Sequence, residues 1–210
     1  MRVHAPTALA AVIALTFVGR AAPAQEQQKA APPCGGEEIA RGTVSHVVDG
    51  RTVVLDDGRE VRLFGIAVPL PASAQQTEAP PGGAAAKAAL DALLGGDAVV
   101  LRRTPEASDR YGRTVAYAYA VRDGEEIFAQ GEMLAAGYAR VADRAGTRAC
   151  AAELLAREAA ARTARLGLWA NSYYDVLNAE TPADVLARRG RFAPVEGKVV
   201  SVRKAGRRST

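Results

Sequence analysis

Val47 to Pro69 reads VVDGRTVVLDDGREVRLFGIAVP. It holds two Asp-Gly pairs, Asp49-Gly50 and Asp57-Gly58, set between β-branched and apolar runs at Val44–Val48, Thr52–Leu55 and Val61–Ile66. Asp-Gly between such runs is a strong hairpin signal, because glycine accepts positive φ without a Cβ penalty. The stretch therefore predicts a three-stranded antiparallel meander. Runs this apolar suit strands buried on both faces, as in a small closed barrel. Two arginines, Arg51 and Arg62, stand where a plain core meander needs none.

Toward the N-terminus, residues 1–24 read as an export signal. Arg2 and His4 form a short positive region, Ala8 to Val18 is an apolar run, and Ala22-Pro23-Ala24 is a small-residue cleavage site. Cleavage near Ala24 leaves Gln25 first, and the expected location is periplasmic or secreted. Arg-over-Lys usage and Ala richness point to a GC-rich bacterial source. No later stretch of ~18 consecutive apolar residues exists, so no transmembrane helix is expected. Residues 25–38 read as a polar linker.

The chain has two cysteines, Cys34 and Cys150. In an oxidising compartment two cysteines most often pair, here tying the tail to the last long helix. On the chain-entropy model such a loop stabilises by roughly 4–5 kcal/mol. Two cysteines and His46, the one histidine past the signal, cannot assemble a usual zinc site. A Ser-His-Asp triad would have to use His46, which reads as a surface or core-edge strand residue.

Beyond the meander, Pro69 to Gly83 is a loop rich in Pro, Ala, Gln and Gly. A helix is predicted over Ala84–Leu94, with Leu90, Leu93 and Leu94 apolar and Gly95-Gly96 as its stop. A fourth strand is expected at Ala98–Leu101, a polar loop at Thr104–Arg113, and a fifth strand at Thr114–Val121, alternating Val115, Tyr117, Tyr119 and Val121. Asp123-Gly124 then leads into a predicted helix over Glu125–Ala136, favoured by Glu125 and Glu126 near its start. Thr147 is a candidate N-cap for a helix over Thr147–Leu166 with an apolar stripe of Leu154, Leu155, Ala159 and Leu166. Gly167 is its expected stop, and Trp169 should pack back on the domain. Five strands with these helices describe a β-barrel plus α architecture: a five-stranded OB-fold with three covering helices, over residues 39–170.

Residues 171–210 form a basic extension. A short helix is expected near Ala183–Arg189 and a strand at Val195–Val202 with no partner strand after it, so this segment is expected to be truncated or disordered. Residues 188–210 carry eight basic side chains and one acidic, whereas residues 25–187 carry 17 basic and 22 acidic. The net charge of +4 thus comes from the tail. A mildly acidic domain argues against a broad electrostatic nucleic-acid footprint. The tail reads as solvated, with polyanions or membrane phosphate as alternative partners.

The order of elements and four local strings resemble the staphylococcal-nuclease (thermonuclease, TNase-like) family. The strings are Asp49-Gly50-x-Thr52, Val61-Arg62-Leu63 running to Pro69, Asp109-Arg110-Tyr111-Gly112-Arg113, and Gly167-Leu168-Trp169. The resemblance implies an SNase-like OB-fold that hydrolyses phosphodiesters of DNA and RNA with bound Ca²⁺. That chemistry needs carboxylates for a hard cation, a glutamate for the attacking water, and two arginines for charge on the phosphorus. The motif implies Arg62 and Arg113 as those arginines, and both are present.

The other positions depart from the pattern. The first metal aspartate is replaced by Arg51, the second by Ala67 with Val68 after it, and the glutamate after Pro69 by Leu70. At ~4 Å and an effective dielectric of ~20, each unit-charge pair contributes about 4 kcal/mol, so Arg51 repels the ion a carboxylate would attract. No metal site is therefore assigned, and the family's Ca²⁺ lacks its ligands. Asp49, Glu78 or Asp109 could supply other oxygen ligands, although Asp49 reads better as a turn residue.

Three readings remain. The first is a catalytically inactive pseudoenzyme that binds an anionic ligand, nucleic acid or other polyanion, or a partner, with Arg51, Arg62 and Arg113 as a compact anion site. Its counterpart is that each arginine pairs with a nearby acid such as Asp49, Asp56, Asp57 or Asp109. The second reading is an active metal-dependent nuclease with other ligands. The third is an envelope protein acting through its C-terminal segment.

Overall fold

The computed structural model describes residues 34–70 and 79–203. The expected signal segment, residues 25–33 of the linker, Glu78 and the tail beyond 203 lie outside the described residues.

The barrel is built on one long strand. β1 (Glu38–Asp49) pairs through its second half with β2 (Thr52–Leu55), from Val44↔Leu55 to Asp49↔Thr52. Its first half pairs with β5 (Ala98–Arg102), from Glu38↔Arg102 to Thr43↔Ala98. Register shifts interrupt both ladders, and such bulges bend a strand so that it can serve two neighbours. β2 continues antiparallel into β3 (Glu60–Leu63). β3 then runs parallel to the start of β6 (Thr114–Arg122), whose later half pairs antiparallel with β5. The order β1-β2-β3-β6-β5 returns to β1, closing five strands. Val44, Val53, Leu55, Val61, Leu63, Val99, Leu101 and Ala116 fill the interior, each almost wholly buried. The expected OB-type barrel with helical cover is what the chain forms.

The two Asp-Gly turns use glycine for different reasons. Gly58 sits at φ +83 in open space, the conformation that favours glycine. Gly50 is not in that region. A Cβ there would lie 2.7 Å from the Ala86 Cβ of α1 (Gly83–Leu94), so the helix demands the missing side chain. α1 buries Ala86, Leu90 and Leu94 at four-residue intervals.

The predicted helix at Glu125–Ala136 is corrected. Asp123 and Gly124 both have positive φ, 52° and 80°, the pattern of a tight hairpin turn whose twist matches its strands. The chain therefore re-enters the sheet as β7 (Glu125–Phe128), pairing from Arg122↔Glu125 to Tyr119↔Phe128. Only Ala129–Ala135 is helical, as α2. Gln130 of α2 is fully buried: its amide donates to the Ala116 carbonyl (3.0 Å) and accepts from the Ala118 N–H (3.1 Å).

α3 (Arg148–Thr163) is capped by Thr147, whose hydroxyl accepts from the Cys150 N–H at 3.2 Å. Its buried face is Cys150, Leu154 and Ala161. The expected stripe is corrected, since Leu155 is 53% exposed and Leu166 lies on the surface beyond the helix. The Cys34–Cys150 disulfide is formed across 116 residues, and both ends are buried. Trp169 packs back, as expected, with Ala161, Leu168 and Tyr174, and Phe192 joins them.

Two short pairs complete the ladders. β4 (Ile66–Ala67) pairs with β8 (Arg140–Val141), and β9 (Leu177–Asn178) pairs parallel with β10 (Val195–Glu196). α4 (Pro182–Ala187) lies between the last two. The expected strand over Val195–Val202 is thus two residues long. Nothing among the described residues pairs with 197–203, and Val199, Val200 and Val202 stay exposed.

Candidate functional site

Arg51 closes the turn between β1 and β2, after Gly50. Its backbone N–H donates to Asp49 Oδ1 (2.9 Å), and its carbonyl accepts from Leu63 N–H (2.8 Å). Asp49 is thus the turn residue its position suggested. These two bonds fix the backbone of Arg51 against β3 and send its half-buried side chain toward Arg62. The Arg51 Nε is buried with no hydrogen-bond partner among the described residues. Burial lowers its pKa, Arg62 adds to the effect, and Asp49 only partly opposes it.

Arg62 lies on β3 in register with Thr52. Its guanidinium approaches Asp109 Oδ2 at 3.8 Å, an ion pair too long for a hydrogen bond. Asp109 organises the loop before β6. Its Oδ1 accepts from the N–H groups of Tyr111 (2.9 Å) and Arg113 (3.2 Å), and its Oδ2 accepts from Arg113 Nε (2.8 Å). Burial pushes the Asp109 carboxyl upward, but these bonds outweigh it and hold its pKa below the usual range. Arg113 also reaches Glu60 at 3.4 Å. Its pKa is raised, chiefly by the hydrogen bond to Asp109. The Tyr111 ring, 65% exposed, lies against both Arg110 and Arg113, with guanidinium carbons 4.7 and 5.2 Å from its centroid.

Arg51, Arg62, Ser108, Asp109, Arg110 and Tyr111 line one cleft of about 540 Å³. Arg113 does not line it, because its donors are committed to Asp109 and Glu60. Of the three arginines singled out, two therefore face the cleft and one holds its loop. His46 is exposed on β1, beside Ser45 at 3.3 Å. Glu60 was legible in the sequence, since alternation along β3 puts it on the face of Arg62. Glu106, Asp143 and Arg144, which also line the cleft, come from loops that carry no motif.

The donor set does not fit a bound Ca²⁺. Ala67 presents a methyl group opposite Arg140, Leu70 is an exposed hydrocarbon, and Arg51 is a cation. Asp109 already serves two arginines and Asp49 its own turn. Among the described residues no three His, Cys, Asp or Glu side chains gather as a metal site. A hard cation needs several oxygens converging at ~2.3–2.6 Å.

A closed five-stranded barrel with helical cover and an arginine pair beside its third strand is the architecture of a nuclease-type OB domain. The family model described as staphylococcal nuclease homologue matches residues 60–171. The chain belongs to that family. No curated protein matches it. No helix among the described residues is long and apolar enough to cross a membrane.

Proposed function

We propose that this protein is an exported, non-hydrolytic member of the staphylococcal nuclease homologue family whose cleft binds an anionic ligand. The observation that carries the reading is Arg51. The resemblance assigns Arg51 to the family's first metal position; its half-buried guanidinium lines the cleft beside Arg62, with no ion pair to a described carboxylate and with its buried Nε unpartnered. A buried donor without a partner is costly unless something else satisfies it, and a cation so placed selects an anion.

A second reading, metal-dependent phosphodiester cleavage with other ligands, is favoured by Arg62 and Arg113 both reaching Asp109. The test is cleavage of single-stranded DNA and RNA by the disulfide-bonded protein, with Ca²⁺, Mg²⁺, Mn²⁺, Zn²⁺ or chelator. Arg113→Ala serves as the control for contaminating nuclease. No cleavage under any condition is expected. Metal-dependent cleavage that disappears in Arg113→Ala would overturn the proposal in favour of the second reading.

A further inference from the structure

We infer, resting on that anion-binding reading, that the cleft is built for one terminal phosphate, a phosphomonoester, and not for a running nucleic-acid strand. The positive focus is compact. The Arg51 guanidinium lines the cleft with no ion pair to a carboxylate of the described residues, and the nearest ion pair of Arg62 is loose at 3.8 Å. Arg113 is committed to Asp109 and Glu60. Two adjacent guanidiniums matched to one group favour a dianion over the single charge of a diester. Arg62 depresses the pKa of Arg51, and a dianion between the two would relieve that repulsion.

The surroundings reject a polyanion. Glu106, Asp109 and Asp143 border the same cleft, and of its outer cations Arg110 is folded against Tyr111, donating to its hydroxyl at 2.6 Å. A second cavity of about 600 Å³ shares Phe64, Glu106, Asp143 and Arg144 with it and adds Glu158. Arg144 is already paired to Glu106. A strand carries a charge at every nucleotide, so phosphates flanking the one at Arg51 would meet carboxylates. A ligand with a single phosphate and a neutral or cationic body avoids them, and Phe64 and Leu155 in the second cavity offer that body apolar contact.

The experiment titrates the disulfide-bonded protein, in chelator, with phenyl phosphate, dimethyl phosphate and a 5′-hydroxyl single-stranded DNA. The readouts are affinity by calorimetry and the Arg51 Nε–Hε NMR resonance. Phenyl phosphate should move that resonance and bind at least about 10-fold tighter than either other probe. Adding Ca²⁺ should leave its affinity unchanged, and affinity should fall below the phosphate's second pKa of ~6. Arg51→Gln should weaken phenyl phosphate roughly 10- to 100-fold. The wild-type resonance gives the same answer should that variant fold poorly. DNA or dimethyl phosphate binding as tightly through Arg51, without cleavage, overturns this inference and leaves the anion-binding reading standing. An Arg51 resonance unmoved by all three probes, or cleavage of the DNA, overturns both.

Discussion

Gly50→Ala isolates how α1 sets the turn that carries Arg51. The added Cβ would stand 2.7 Å from the Ala86 Cβ, 3.1 Å from the Ala86 carbonyl carbon and 3.3 Å from Val68 Cγ1. Two of those neighbours belong to a helix anchored by fully buried Leu90 and Leu94, so relief requires the helix or the turn to move. Overpacking of this kind costs about 2 kcal/mol. Ala86→Gly alone costs about 1 kcal/mol, the helix-interior penalty of glycine. Combined, the two should not add: removing the Ala86 Cβ abolishes the worst contact, and the double variant should recover roughly 1 kcal/mol relative to the sum. Recovery is partial because the carbonyl carbon remains. Gly58→Ala is the contrasting control. It costs about 1 kcal/mol through its left-handed backbone and should be additive with Ala86→Gly. Urea melts followed by Trp169 fluorescence and far-UV circular dichroism measure all of these. Wild-type stability for Gly50→Ala, or additivity within about 0.5 kcal/mol in the pair, would refute the argument from close approach.

Gln130→Leu keeps the volume but takes the Gln130 acceptor from the buried Ala118 N–H, while the Ala116 carbonyl keeps its bond from the Phe64 N–H (3.0 Å); urea melts should show a loss of about 2 kcal/mol, and a loss under about 0.5 kcal/mol would contradict the bonding. Reducing Cys34–Cys150, which closes 116 residues, should lower stability by up to about 5 kcal/mol, read as a falling urea midpoint under dithiothreitol, and an unchanged midpoint would show that the bridge constrains little. Burial raises the phenols of Tyr117, Tyr119 and Tyr174 from 10 to about 12. The unfolded chain then releases protons first as pH climbs through 10, so stability should fall between pH 10 and 12, by up to about 3 kcal/mol per tyrosine. A flat midpoint across that window would count against three buried phenols.

The barrel was legible because each strand announces itself locally, by β-branched runs and Asp-Gly turns. A closed barrel was expected from the apolar runs, but the pairing that closes it was not legible, since the parallel ladder of Val61–Leu63 with Thr114–Ala116 joins segments distant in sequence and no local pattern encodes it. β7 was missed although Asp123-Gly124 repeats the signal that located the meander. Glu125 and Glu126 also suit the first turn of a helix, and two local preferences competed. At the site, motif strings located Arg62, Asp109 and Arg113. They gave no means of knowing that Asp109 and Glu60 would engage Arg113, so that of the three arginines singled out only Arg51 and Arg62 line the cleft. The acidic border was invisible for the same reason as the closure: Glu106 and Asp143 meet only once the barrel and α3 are in place.

Arg51 also makes a prediction that separates a ligand site from a structural arginine. A half-buried guanidinium with an unpartnered Nε and a cationic neighbour is a stability cost within the empty fold. Replacing such a charge with an apolar side chain of similar length is often neutral or stabilising. In phosphate-free buffer Arg51→Met should therefore gain about 1 kcal/mol. Phosphate should reverse the order, because only the wild type gains stability from a bound anion, by RT ln(1 + [L]/Kd). The crossing of the two melting temperatures as phosphate rises is the signature. If Arg51→Met is destabilised without phosphate and phosphate changes neither protein, the arginine serves the packing of the β1–β2 turn. The cleft would then hold no anion site at Arg51.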